Sequence, residues 1–515
     1  MSDFCVIGSG PSAISAAMAL VGRGLGVTML DAGRALEDSR RESVARLGAQ
    51  PSANWNEADI RSLKEGIEVS SDGIPLKRLY GSDFPFRTDG SEFCFDYIDA
   101  GVRPSFARGG LSTVWGAGLL PFHGDDIADW PFDAAELDAG YRGVLSFVPC
   151  SGSRDALDDL FPHHSTKLQT FPPGRQGAAF LRDAARAQAR LSRDGIVVGQ
   201  SRLAVDAERC ERCGMCLYGC PYELIYSSEF TLRKLQKLPR FRYVPGVVVE
   251  RLQEENGSVR IIARDLTTQA PRQFEASRVF LGAGTISSTV IILSSLGEYD
   301  VRVRLRDSFY FLLPLLRFAG VPDPGGERLH TLAQAFIALR NPEVCAEFVH
   351  FSIYGYNDLL IPSLRASIGA AGGLQSLASR ILVAGGYLHS KRSPSLWLTV
   401  RPGRITIQGE DSSGAIAIAK KAAKKLVRQT ARLRALPLIA AMRFPPPGRG
   451  FHTGGSFPMS KERVRMTSDT EGRPHGFERV HLIDASCLPS IPATTVTLPV
   501  MANAWRIASR VAERT

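Results

Sequence analysis

Phe4–Ile7 is a short apolar run, and Gly8-Ser-Gly10-Pro-Ser-Ala13 follows it directly. Ile14–Val21 then reads as a helix, and Gly26–Leu30 as a second strand that ends at Asp31. Strand, glycine turn, helix, strand and acid form, in that order, a βαβ unit that binds a dinucleotide. No other stretch constrains the fold as strongly, because it puts an α/β layer at the start of the chain. Gly8 allows the tight turn, and Gly10 lets a pyrophosphate approach the backbone. Ala13 is small enough for the helix to pack closely on the strand. The helix N-terminus offers free N–H groups and the positive end of its dipole to the phosphates. Asp31 stands where the acid that accepts ribose hydroxyls is found. The pattern does not separate FAD from NAD.

A second motif lies near the middle of the chain. Cys210, Cys213, Cys216 and Cys220 follow the spacing C-x2-C-x2-C-x3-C, with Pro221 next. This is the spacing of a bacterial ferredoxin loop, in which soft thiolates hold iron and sulfide. The four fit one [4Fe–4S] cluster, or three of them a [3Fe–4S] cluster. Zinc sites usually split their ligands into two distant pairs, and cysteines this close have few unstrained disulfides. Zinc, and a loop without metal, remain the other readings. The remaining five of the nine cysteines are scattered, unlike a secreted disulfide scaffold. The N-terminus has no signal-peptide pattern and no apolar run reaches the length of a membrane span. A cytoplasmic protein is expected, with export alongside a signal-bearing partner subunit left open.

At 515 residues the chain suggests two domains. Its net charge of +10 is spread thinly and outlines no nucleic-acid surface. The one concentration, Lys420-Lys421 with Lys424-Lys425 and on to Arg434, reads as an amphipathic helix with a solvated basic face, a docking face for a membrane or partner subunit being the other reading. Residues 35–94 read as an irregular surface excursion. Asp129-Trp130-Pro131 carries a helix start signal. A helix is expected over Ser228–Leu238, a strand over Phe241–Arg251, and a buried strand running into Gly282-Ala-Gly284 before a helix at Ile286–Leu296. Between Val301 and Arg404, alternating runs such as Glu347–Tyr356 and Ser395–Val400 read as antiparallel strands. A final helix is expected over Val500–Glu513.

Taken together, the order of these segments resembles the glucose–methanol–choline (GMC) oxidoreductases, and within them the bacterial sugar- and polyol-dehydrogenase branch. The segments are Gly8–Ala13 with Asp31-Ala-Gly33, Gly109-Gly110-Leu-Ser112-Thr-Val-Trp115, Asp129-Trp130-Pro131, Gly282-Ala-Gly284, His452-Thr-Gly-Gly-Ser-Phe-Pro-Met459, and Ile483-Asp484-Ala-Ser486 running to Pro492. The resemblance implies an α/β chain, α+β overall. A Rossmann-like FAD-binding domain would be assembled from residues 1–34, 95–125, 200–300 and 450–515. A substrate domain with an antiparallel sheet and helices would take 126–199 and 301–449.

The resemblance also implies oxidation of a CH–OH group of a sugar, polyol or glycoside. His452 would take the hydroxyl proton, since a neutral imidazole accepts a proton at pH 7. Gly8, Gly10, Ala13, Asp31, Gly109, Gly110, Ser112, Trp115, Val248, Gly282, Gly284 and Asp484 would hold FAD. Val114 stands where some relatives carry a flavin-linked histidine, so FAD would be noncovalent. In the family, a His or Asn precedes the last helix. Here Thr495 takes that place, with Thr494 beside it, and its hydroxyl would hydrogen-bond the substrate oxygen. A cluster in the cysteine loop would carry electrons singly to a cytochrome, quinone or carrier, with an acceptor protein or small partner subunit as the partner. A biosynthetic tailoring enzyme with the same chemistry, and a non-catalytic flavin subunit, are the other functional readings; His452 argues against the second.

Overall fold

The computed structural model describes residues 2–66, 74–357, 359, 377–462 and 464–514. The first layer is a seven-stranded sheet. Its centre is strand Ser2–Ile7, whose residues 4–7 are buried, as a parallel strand covered on both faces requires. Val27–Leu30 lies parallel on one side, with Phe241–Val244 beyond it, and Pro271–Leu281 lies parallel on the other. That last strand is long and does two jobs. Its outer half alternates in exposure and pairs with the antiparallel hairpin Val247–Glu255 and Ser258–Asp265. Its inner half is apolar and pairs in parallel with Val480–Leu482. Helix Pro11–Val21 packs against the last helix, Thr497–Ala512, and Ser15 Oγ donates to Met501 O at 2.6 Å.

A second layer is a six-stranded antiparallel sheet, in the order Ala435–Pro437, Tyr310–Arg317, Ile381–Leu388, Cys345–Tyr354, Ala335–Asn341 and Ile196–Gln200. Side chains alternate across it. One face carries Phe311, Leu313, Val349, Phe351, Leu382 and Ala384 and packs with residues of helices Arg175–Arg193 and Ser413–Val427 into a second core. The other carries Tyr310, Tyr387, His350, Ser352 and Phe336. Tyr310 pairs with Tyr387 and Tyr387 with His350, which sets the three in one row across the sheet. A five-stranded sheet, Thr453–Gly454, Arg302–Asp307, Leu396–Arg401, Arg404–Gly409 and Phe95–Ile98, ties the His452 segment to the body.

Several expectations need correction. Residues 35–94 are not simply irregular: helices Asp38–Gly48 and Glu57–Lys64 form there, and Leu47, Trp55 and Leu63 pack on Met215, Leu217 and Tyr218 of the cysteine loop. The apolar residues of these two helices are few and spaced among charges, so the pattern reads as surface until the loop beneath is in place. The strand expected over Phe241–Arg251 is two strands, broken at Pro245-Gly246, where Gly246 takes a φ of +71°. The start signal at Asp129–Pro131 lies ahead of the helix. Asp133 caps a short 3-10 turn, and the α-helix runs Asp138–Leu145. The basic helix is Ser413–Val427, and its face is not wholly solvated: Lys425 is buried between Asp194 and Glu343. Residues 67–73 of the expected excursion lie outside the described residues.

Candidate active site

Three glycine turns and the ends of the parallel strands enclose a cleft of about 1300 Å³, part of it open to solvent. It runs from the Gly8 and Gly282 turns past Asp31 to Val248 and Asp484. Gly8, Gly10, Asp31, Gly110, Val248, Gly282, Gly284 and Asp484 all line it. Gly8 has a φ of +97°, and a Cβ there would lie 2.5 Å from Gly282 O, so two glycine turns touch only because neither carries a side chain. At Gly10 a Cβ would meet nothing nearer than Gly110 Cα at 4.0 Å, which leaves a bare cradle at the start of helix Pro11–Val21.

Asp31 is buried at the strand end. Ser9 Oγ donates to its Oδ2 at 2.5 Å and Tyr243 Oη at 2.8 Å. Burial pushes its pKa up to about 6 against the pull of these two hydroxyls. The buried Ser287 Oγ, on a residue that lines the cleft, has no hydrogen-bond partner in the protein. Bare cradle, acid and orphaned hydroxyl fit the diphosphate and ribose groups of FAD.

Four expected FAD residues do not line the cleft. Ala13 is fully buried where the helix crosses the Gly282 turn. Gly109, Ser112 and Trp115 clasp neighbouring segments instead. Ser112 Oγ donates to Gly109 O at 2.6 Å and lies 2.7 Å from Ser228 Oγ. Trp115 Nε1 donates to Tyr226 O at 2.8 Å. Asp484 lines the cleft, but its carboxylate accepts from Ser288 Oγ at 2.5 Å and Ser486 N–H at 2.9 Å and so braces the turn behind it.

His452 sits beside the cleft on a tightly held loop. The preceding Phe451 lines the cleft with a φ of +57°, a left-handed conformation that is uncommon away from glycine. A Cβ at Gly450 would come within 3.0 Å of Tyr310, so the loop lies flat on the antiparallel sheet. Ser308 N–H donates to His452 O at 3.0 Å, and Gly448 N–H to Asp307 Oδ2 at 2.8 Å. The imidazole stacks on Tyr387 with ring centroids 4.9 Å apart, and its Nδ1 is buried without a partner. Burial lowers its pKa to about 4, so at neutral pH it is an uncharged proton acceptor.

Thr495 is placed across from the sheet. Leu120 N–H donates to its Oγ1 at 2.8 Å, which leaves the hydroxyl proton to donate elsewhere. Gly118 separates it from Phe336: a Cβ there would lie 2.6 Å from Thr495 Cγ2 and 3.5 Å from the Phe336 ring. The neighbouring Thr494 is buried with Oγ1 unpartnered.

Sequence reasoning did not single out His350. It is buried, 4.9 Å from the Phe336 ring and 6.4 Å from the Tyr387 ring. A signal was present: His350, Ser352 and Tyr354 alternate with Val349, Phe351 and Ile353, which gives the strand one polar face on a sheet that is covered on both sides.

The four cysteines line one small, mostly apolar cavity with Phe171, Val205, Leu224 and Leu332. Backbone N–H groups point at the sulfurs: Arg212 N–H lies 3.4 Å from Cys210 Sγ, and Leu224 N–H lies 3.5 Å from Cys220 Sγ. Burial raises Cys213 to about 12 and Cys220 to about 11. Among the described residues, no three His, Cys, Asp or Glu side chains stand close enough to hold a single metal ion. Lys77 connects this loop to the glycine-rich segment. Its ammonium donates to Trp115 O at 3.0 Å; burial lowers its pKa to about 8, while Cys216 and Cys220 act to raise it.

Comparison with known proteins bears on this geometry. Residues 401–504 match the family model of the GMC oxidoreductases. A search of curated protein sequences found no match. Among solved structures, the chain is similar to pyridoxine 4-oxidase from Mesorbium loti, with 14% identity, 99% of each chain covered and a TM-score of 0.60. As 701 solved chains match, the fold by itself says little about the substrate. The family match and the fold support an FAD-dependent oxidoreductase that acts on a CH–OH group. Residues 401–504 thus match the GMC oxidoreductases, in a chain whose architecture as a whole is similar to that of pyridoxine 4-oxidase.

Proposed function

We propose that the protein is an FAD-dependent dehydrogenase that oxidises a CH–OH group of a sugar, polyol or glycoside and passes the electrons on through an iron–sulfur cluster. The observation that carries the reading is the buried, unpartnered Nδ1 of His452, held beside the glycine-lined cleft. Bound noncovalently, FAD supplies the acceptor for the hydride. The protein supplies the rest. Gly8, Gly10 and the helix start cradle the diphosphate, Asp31 takes the ribose, and the neutral His452 takes the hydroxyl proton, with Thr495 as a donor to the substrate oxygen. The neighbouring sheet and the Phe451 loop shield His452 from water and keep it neutral. In this reading the flavin domain is built from residues 1–34, 95–125, 200–300 and 450–515.

The cysteine loop supports the electron exit. Four sulfurs around one apolar cavity, met by backbone N–H groups, are the donor set that an iron–sulfur core takes. Cys210, Cys213, Cys216 and Cys220 would hold it. An acceptor protein or small partner subunit would meet the loop. Among the described residues no helix is long and apolar enough to cross a membrane.

The test is anaerobic purification followed by addition of a panel of sugars, polyols and glycosides. At least one should bleach the flavin absorbance. Iron and sulfide analysis with an EPR spectrum should find a cluster. A flavin that no hydroxylated compound reduces would refute the substrate class; zinc, or no metal, would refute the cluster.

A further inference from the structure

We propose that His350 is the second imidazole of this active site, holding the substrate oxygen opposite His452 in place of the side chain that the C-terminal bend lacks. The inference rests on the CH–OH reading above and assigns a residue to it. At the bend, Thr495 Oγ1 accepts from the Leu120 N–H and can offer only its hydroxyl proton, and no imidazole or amide stands there. The antiparallel sheet provides one instead. His350 is 1% exposed, yet its Nδ1 has no hydrogen-bond partner, the same condition as Nδ1 of His452. A buried polar atom left unpaired costs about 1–3 kcal/mol, which a bound ligand removes.

Both imidazoles neighbour one ring. His452 stacks on Tyr387 at 4.9 Å, and His350 lies 6.4 Å from Tyr387, its partner in the same row of the sheet. His350 is also next to Phe336, whose ring is the neighbour of Gly118 and Thr495. His350 therefore stands between the His452 loop and the bend that precedes the last helix. Burial lowers its pKa to about 3, with a further contribution from charge on His452, so both rings are neutral at pH 7.

Two neutral imidazoles can divide the work. Ser352 Oγ lies 3.2 Å from His350 Nε2. With the serine hydroxyl donating to Nε2, the ring proton sits on Nδ1, and His350 is the donor to the substrate oxygen. His452 Nδ1, as the acceptor, receives the hydroxyl proton as the O–H bond breaks. The C–H bond would break with its electron pair, for which bound FAD would supply the two-electron acceptor; carbon would become a carbonyl and the proton would remain on His452. The His350 N–H stabilises the oxygen while it carries the extra charge. The titratable and charged groups that act on Tyr387, the ring next to both, are Tyr310, Tyr354, Arg449 and Asp307.

The test uses the flavin-loaded enzyme. In stopped-flow reduction by the panel compound that bleaches wild type, His350→Gln should slow reduction about 10²-fold, as loss of one such donor does. Ser352→Ala, which frees the tautomer but keeps the ring, should slow it less. A His350→Gln enzyme that holds flavin and reduces within about threefold of wild type would overturn the proposal. A second arm needs no substrate and no His350 variant. With histidines labelled at Cε1, NMR titration of His452→Gln should show His350 protonating at higher pH than in wild type. An unmoved His350 titration would mean that the rings do not share a site, and would also overturn it. If no panel compound bleaches wild type while the NMR shift is present, the substrate reading fails and the paired imidazoles stand.

Discussion

The crossing of two glycine turns at the floor of the cleft makes a quantitative prediction. In Gly8→Ala the new Cβ would lie 2.5 Å from Gly282 O, 3.0 Å from Gly282 C and 3.1 Å from Ala283 Cα. All three are backbone atoms, so no side chain can rotate aside. Both strands are locked in the parallel ladder: Gly282 N–H donates to Ile7 O at 2.9 Å, and Gly8 N–H to Leu30 O at 2.8 Å. Relief therefore means moving one strand end against the other. Overpacking of this kind costs about 1–3 kcal/mol, and a left-handed φ on a non-glycine residue about 1–2 kcal/mol more. The expected total is about 2–5 kcal/mol.

Gly403→Ala is the control. Gly403 has a φ of +74° in the hairpin after Arg401, and a Cβ there would meet nothing within 4 Å. It bears the backbone cost alone, about 1–2 kcal/mol. The assay is urea unfolding of both variants, with flavin retention measured from the visible absorbance after desalting. Gly8→Ala should unfold at lower urea than Gly403→Ala and lose flavin, whereas Gly403→Ala should keep it. If Gly8→Ala matches the control in stability and keeps its flavin, the steric account of the turn is wrong.

His452→Ala should retain flavin, because the ring is not part of the nucleotide cradle, and should lower the flavin reduction rate about 10²–10⁴-fold by stopped-flow. Because His452 is held near pKa 4, the wild-type rate should show no loss of base between pH 8 and 6 and should fall only as pH approaches about 4. Stability should also fall with acid. His330, His350, His389, His452 and His481 stay neutral in the folded protein down to about pH 3 to 4, whereas in the unfolded chain they take up protons below about 6.5. Asp31 and Asp126, raised to about 6, and Asp307, raised to about 7, act the other way, since they hold protons when folded that the unfolded chain releases. The histidines outnumber them, so the melting temperature should be lower at pH 5 than at pH 7.5; an unchanged value would contradict these burials. Cys216→Ser should reduce the iron bound per flavin while the flavin content holds; equal iron in both proteins would remove Cys216 from the ligand set.

The sequence determined the parts whose meaning is local. The βαβ turn was legible because Gly8, Gly10, Ala13 and Asp31 act through the bonds and sterics of one short segment. Strands Cys345–Tyr354 and Leu396–Arg401 were legible because alternation has a period of two, and the His452 segment stood out because it carries the family pattern. The tertiary structure decided what depends on distant segments meeting. Helices Asp38–Gly48 and Glu57–Lys64 look like charged surface until they cover the cysteine loop. Gly109, Ser112 and Trp115 lie in the expected segment but do not line the cleft: Ser112 donates to Gly109 O and Trp115 to Tyr226 O. His350 is one polar residue in an alternating strand until register sets it beside Tyr387 and the His452 loop folds down onto that row. Periodicity says which residues share a face. It does not say what covers that face, because the covering loop arrives from elsewhere in the chain and its contacts have no sequence spacing to read.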